Sequence, residues 1–138
     1  MLQYFLVTSF ILLLAGCSAL NPWSEEKETE AASMNIEVDL QARHRCSRIS
    51  PEIQVHNVPA NTKQFTVRLE EKGEQPRYLG GGRWKNDATG IIPEGALVEH
   101  YQGACPPAGS SGQYTYIVTA LGDGEQPLEV RVFSFTQE

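Results

Sequence analysis

The chain has 138 residues, with 11 Lys and Arg against 17 Asp and Glu and a net charge of -6. That length holds one ordinary core once a leader is removed, and two independent cores would each be marginal. The acidic balance, with no basic stripe, excludes a general affinity for nucleic acid, which needs clustered Lys and Arg to displace counterions from phosphate.

Residues Leu2 to Ala15 (LQYFLVTSFILLLA) form an apolar run that as a helix is about 21 Å long, short of the roughly 30 Å hydrocarbon core. It predicts the core of an export signal rather than a membrane span, and Ala15 and Gly16 supply the small residues that a signal peptidase grips. Leu13-Leu14-Ala15-Gly16-Cys17 resembles the bacterial lipobox. The resemblance implies that Cys17 is acylated and becomes the new N-terminus, so that two or three lipid chains hold the protein on a membrane, each buried methylene contributing about 0.8 kcal/mol. Ser18 rather than Asp follows the cysteine; among Gram-negative lipoproteins this implies the outer membrane, facing the periplasm. The segment Met1 to Gln3 has no Lys or Arg, which departs from the usual positive start. The alternatives are a plain signal peptide with an incidental cysteine, or a short anchor. Between Asn21 and Ser33, four Glu and one Lys carry half of the chain's net charge, and their repulsion predicts an extended tether. The expected division is a signal peptide over 1-16, a lipidated acidic tether over 17-33 and a folded domain over 34-138.

In the folded part Ile36, Val38 and Leu40 alternate with Glu37, Asp39 and Gln41, the period of a half-buried strand. The alternation returns at Ile53 and Val55, and at Phe65, Val67 and Leu69. Tyr114 to Leu121 is apolar on both faces, as a central strand covered on two sides requires. Gly122-Asp123-Gly124 predicts a turn, and Leu128 to Phe135 its hairpin partner. No window carries a helical period. The reading is mostly β, a two-sheet antiparallel sandwich.

With Cys17 lipidated, Cys46 and Cys105 remain as an even pair in an oxidising compartment, where a disulfide persists; two buried free thiols are the alternative. A metal site is not expected: there is no CxxC, and His44, His56 and His100 lack ligand spacing. Arg43, His44, Arg45 and Arg48 crowd Cys46 and read as a partner-facing patch or as a solvated turn.

From Cys46 onward the order of motifs resembles the phosphatidylethanolamine-binding protein family, which includes the Raf kinase inhibitor proteins. The residues that carry this are Cys46, Ile49-Ser50-Pro51, Val58-Pro59-Ala60-Asn61-Thr62-Lys63-Gln64-Phe65, Ile92-Pro93-Glu94-Gly95-Ala96 and Tyr101-Gln102-Gly103-Ala104-Cys105-Pro106-Pro107-Ala108-Gly109. The resemblance implies a β-sandwich with a small pocket for phosphate-like anions, no enzymatic activity and no cofactor. The family's pocket is degenerate here. Glu71-Lys72-Gly73 stands where relatives carry Asp-Pro-Asp, Arg83 before Trp84 where they carry a pocket histidine, and Gly112-Gln113-Tyr114 in place of His-Arg-Tyr. The expected ligand-binding residues are Arg83, Trp84, Gly103, Pro106, Pro107 and Tyr114, lining a shallow cavity with Arg83 at its mouth. Arg83 can grip a phosphate or carboxylate bidentately; alternatively the Pro-rich loop closes the sandwich and Arg83 is a solvated edge.

Three functions follow. One is a non-enzymatic ligand-binding or inhibitory module on the envelope, binding a small anionic ligand. Another is an interaction lipoprotein that docks an envelope protein, as an assembly accessory or a hydrolase inhibitor. An enzyme is the weakest reading, because no GxSxG elbow or HExxH is present, and the adjacent Glu70 and Glu71 point to opposite faces of a strand.

Overall fold

The structure, a computed structural model, describes residues 32–138. The expected signal peptide, Cys17 and nearly all of the expected tether lie outside the described residues. No helix among the described residues is long and apolar enough to cross a membrane.

Seven strands form among the described residues, β1 (Asn35–Val38), β2 (Ile53–His56), β3 (Gln64–Glu71), β4 (Arg77–Lys85), β5 (Ile91–Ile92), β6 (Gly112–Leu121) and β7 (Pro127–Gln137). Among the described residues, helical structure is confined to two short 3-10 turns at Ala42–His44 and Asp123–Glu125. The strands make a three-stranded sheet ordered β1-β2-β5 and a four-stranded sheet ordered β4-β3-β6-β7, with every pairing antiparallel. The mostly β reading and the two antiparallel sheets expected from the sequence are therefore present.

Alternation decides which side chains fill the space between the sheets. Met34, Ile36, Ile53, Val55 and Ile92 enter it from the smaller sheet, and Phe65, Val67, Leu69, Tyr116, Val118 and Ala120 from the larger, all buried. Burying one such large side chain contributes about 1.5 to 3 kcal/mol. Tyr116 carries a hydroxyl into this core, and it is satisfied there by the Tyr101 hydroxyl at 2.6 Å. Burial raises the pKa of both phenols.

The first strand ends at Val38 rather than at Leu40, because Leu40 N–H turns back to the Val38 carbonyl at 2.9 Å. β6 is central in its sheet, as expected: Tyr114, Tyr116, Val118 and Ala120 are buried on one face, and on the other Thr115 and Leu121 are buried while Ile117 and Thr119 are half-buried. β4 has no counterpart in the sequence reading, since its middle is Gly80-Gly81-Gly82 and glycine weakens strand propensity.

The glycines are required by close approach. A Cβ on Gly81 would lie 1.9 Å from the Val67 carbonyl oxygen, and one on Gly80, whose φ is +100, would lie 2.4 Å from the His100 carbonyl oxygen. Freed of side chains, β4 accepts the segment Glu99–Gln102 along its outer edge: Gly81 and Glu99 exchange backbone bonds of 3.0 and 2.9 Å, and Gln102 N–H reaches the Leu79 carbonyl at 2.9 Å.

Candidate functional site

Cys46 and Cys105 are joined, with sulfurs 2.05 Å apart and Cα atoms 4.5 Å apart. The bond fixes the segment after β1 against the loop before β6. Around it, Cys46 N–H donates to the Ala104 carbonyl (3.1 Å) and Gly103 N–H to the Ser47 carbonyl (2.7 Å). Gly103 is needed for contact, because a Cβ there would sit 2.3 Å from the His44 carbonyl oxygen. Ser50 is fully buried, where its carbonyl accepts from Gly95 N–H and its hydroxyl from Leu97 N–H. The Ile-Ser-Pro and Pro-Glu-Gly motifs therefore form one structural joint.

At this joint lies a group that the sequence reading left as a surface patch or solvated turn. His44 is buried; its Nδ1 accepts the Gln41 backbone N–H at 3.0 Å, so Nε2 carries the ring proton and donates to Glu94 Oε1 at 2.7 Å. Arg43 Nε donates to the same oxygen at 2.7 Å. The hydrogen bond from Arg43, then that from His44, holds the Glu94 carboxyl down at about 2, against an ordinary 4.5. A carboxylate whose pKa is depressed by folding stabilises fully above its ordinary value and loses that contribution as pH falls through the folded one. The expected result is a stability curve that declines between pH 4.5 and about 2, and a Glu94→Gln variant lacking that part of the decline. Urea midpoints measured across the window check it; parallel curves for the two proteins would refute the assignment.

The six residues expected to line one cavity are not brought together. Tyr114 pairs in register with Glu71 at one end of β3, whereas Trp84 pairs with Phe65 near the other. Six strand steps separate these positions, about 20 Å at 3.3 Å per residue. Arg83 and Trp84 also leave β4 on opposite faces. Trp84 turns inward against the core with its Nε1 buried and without a partner among the described residues, and exposed Arg83 pairs with Glu125 on the outer side. Gly103, Pro106 and Pro107 belong to the loop leading to the Tyr114 end.

That end has a cation of its own, Arg77, which the sequence reading missed. Arg77 donates to Glu71 Oε2 through both Nε (2.9 Å) and Nη2. Tyr114 is completely buried beside this pair, stacked on Phe135 at a centroid distance of 5.6 Å. Its hydroxyl is buried against the Cys105 backbone, and burial, then the Glu71 charge, raises its pKa. Arg77 sits six residues beyond Glu71, and the signal for it is the hairpin that returns β4 alongside β3.

Of four clefts of about 320 to 380 Å³ among the described residues, none is lined by Trp84, Gly103, Pro106, Pro107 or Tyr114. Arg83 lines one of them, an outer-face groove with Arg68, Tyr78 and Glu99. Both arginines there are already engaged, Arg68 by Glu70 at 2.9 Å and by the Tyr78 ring, Arg83 by Glu125.

No family model and no curated protein matches the chain. Solved structures do, and two of them show what the fold is like. One is a phosphatidylethanolamine-binding protein homologue, CT736, from Chlamydia trachomatis: TM-score 0.54 and 16% identity, covering 77% of this chain and 97% of that one. The other is YbcL from Escherichia coli, described as a new member of the mammalian phosphatidylethanolamine-binding protein family: TM-score 0.54 and 19% identity, covering 71% of this chain and 82% of that one. The chain has the fold of the phosphatidylethanolamine-binding protein type.

Proposed function

We propose that the protein is an envelope lipoprotein, anchored through Cys17 to the outer membrane and facing the periplasm, whose phosphatidylethanolamine-binding-protein-like domain is a non-enzymatic module that binds or inhibits another envelope protein. The observation that supports this over a small-anion pocket is the separation of the expected pocket residues between two ends of the large sheet. Arg83 is engaged by Glu125 at one end, and at the other Arg77 neutralises Glu71 above a sealed Tyr114. Binding energy then comes from an exposed surface, held at a distance from the bilayer by the acidic tether.

Two measurements test this reading. Mass spectrometry of protein from membranes should give a diacylglyceryl-cysteine N-terminus at Cys17, and Cys17→Ser should leave an unprocessed precursor; a mature protein starting elsewhere without acyl mass refutes the anchor. Calorimetry with phosphate and phosphoethanolamine should show no saturable heat at millimolar concentration, in the parent protein and in Arg83→Ala alike. Saturable binding lost in Arg77→Ala or Glu71→Gln would replace the protein-binding reading with a small-ligand one.

A further inference from the structure

The two edges of the four-stranded sheet differ. Beyond β4 the segment Glu99–Gln102 takes up backbone hydrogen bonds. Beyond β7 no strand pairs among the described residues, since β7 is joined only to β6, and the Val130 carbonyl accepts from the neighbouring Arg131 Nη1 at 2.6 Å. β7 is eleven residues long, and an open edge of that length templates the addition of another strand. The usual deterrents are scarce in it. It contains no Lys, its one Pro is its first residue, and the irregularity in its pairing lies at Ala120/Leu121, opposite its start. Three of its outward side chains are apolar and open, with exposed Ser134 and Thr136 beyond them: Leu128 is 37% exposed, Val130 46% and Val132 61%.

One deterrent remains, a pair of half-buried charges on the inner side of the edge. Glu129 accepts from Met34 N–H at 2.7 Å, and Arg131 stands 3.7 Å from it. A generic strand would lay uncharged residues against both. Among antiparallel two-fold registers of β7 with itself, a centre at Glu129 sets Glu against Glu and a centre at Arg131 sets Arg against Arg. A centre at Val130 sets Glu129 opposite the second copy's Arg131, Val130 opposite Val130, and Leu128 opposite Val132. The charges that repel other strands become complementary, and the exposed apolar residues cover one another. Opposite-charge and β-branched cross-strand pairs are both favourable.

We propose that β7 is a homotypic docking edge, at which two copies of this chain pair antiparallel about a two-fold axis at Val130 and join their large sheets into one. This inference is independent of the lipid anchor and of what the module binds.

Single cysteines in the full chain, produced in its cells and oxidised in place, read the register on non-reducing gels. In a directly opposed pair the Cβ atoms are about 4.5 to 5.5 Å apart, close enough for a disulfide after small adjustment. Val130→Cys should give a covalent homodimer. Val132→Cys alone should give at least ten-fold less, because its own copy lies four strand steps away, about 13 Å. Adding Leu128→Cys to Val132→Cys should restore the dimer. In the Val130→Cys background Glu129→Arg should lower the yield several-fold, and Arg131→Glu added to it should recover the yield. A Val130→Cys protein that stays monomeric while its thermal transition matches the parent's overturns the proposal. So do equal yields from positions 130 and 132, which would mean random collision, and adducts formed only with other proteins.

Discussion

Replacing Cys46 and Cys105 by Ser should lower the stability of the domain by about 4 kcal/mol. The bond closes a loop with a sequence separation of 59, and a cross-link over that length restricts the unfolded chain by about 4 kcal/mol in the entropy model, within the 2 to 5 typical of native disulfides in small secreted domains. Urea unfolding at neutral pH should show the midpoint falling by about 2 M, taking a slope near 2 kcal/mol/M. The folded state should keep its local geometry, because the segment around Cys46 has other anchors: Gly103 N–H on Ser47, and Glu94 on Arg43 and His44. The same loss should follow reduction of the parent protein. A midpoint unchanged by the double substitution would show that the unfolded chain gains nothing from the cross-link.

This disulfide was legible before any coordinates because it needed only counting and a compartment, whereas the pocket needed distances between strands. Alternation at Phe65, Val67 and Leu69, and the apolar β-forming run Tyr114 to Leu121, announced the two central strands, since burial on one face leaves a period of two in the sequence and burial on both leaves an unbroken run. The rest depended on register. Which residue of β4 stands beside Tyr114 is decided by a hairpin whose second arm, through Gly80-Gly81-Gly82, carries no strand signal. Setting Arg83 and Trp84 in the pocket therefore misplaced the cation by the length of the sheet, and Arg77 is the residue that arrives beside Glu71. His44 was hidden for a related reason. Its partner Glu94 is 50 residues away, and a buried imidazole among three arginines in sequence reads as a surface patch until the Pro-Glu-Gly turn is folded over it. β7 was recognised as a hairpin partner, but that it ends the sheet with its second edge open follows from strand order alone.

Gly81→Ala should destabilise the domain far more than Gly82→Ala, the same change at the next residue of β4. The reason is that its obstacle is backbone on a neighbouring strand. The new Cβ would meet the Val67 carbonyl oxygen at 1.9 Å, its carbon at 2.9 Å and the Arg68 Cα at 3.1 Å, and none of these is the yielding end of a side chain. Relief requires β3 and β4 to move apart at the point where Gly81 pairs with Arg68, and Gly81 also holds Glu99 through two backbone bonds. Overpacking that displaces backbone costs about 3 kcal/mol, and more when hydrogen bonds break with it. Gly82→Ala is milder, its closest contact being the Leu97 Cα at 3.1 Å. Gly95→Ala separates conformation from contact: nothing lies within 4 Å of its Cβ, but its φ is +79, so the expected loss is the left-handed penalty of about 1 kcal/mol. Thermal unfolding of the three variants should rank Gly81 well below the other two, by about 10 °C or more given about 4 to 8 °C per kcal/mol for a domain of this size. If Gly81→Ala melts within a few degrees of Gly95→Ala, β4 has room that this packing denies, and the glycine run is not what brings Glu99–Gln102 onto the edge of the sheet.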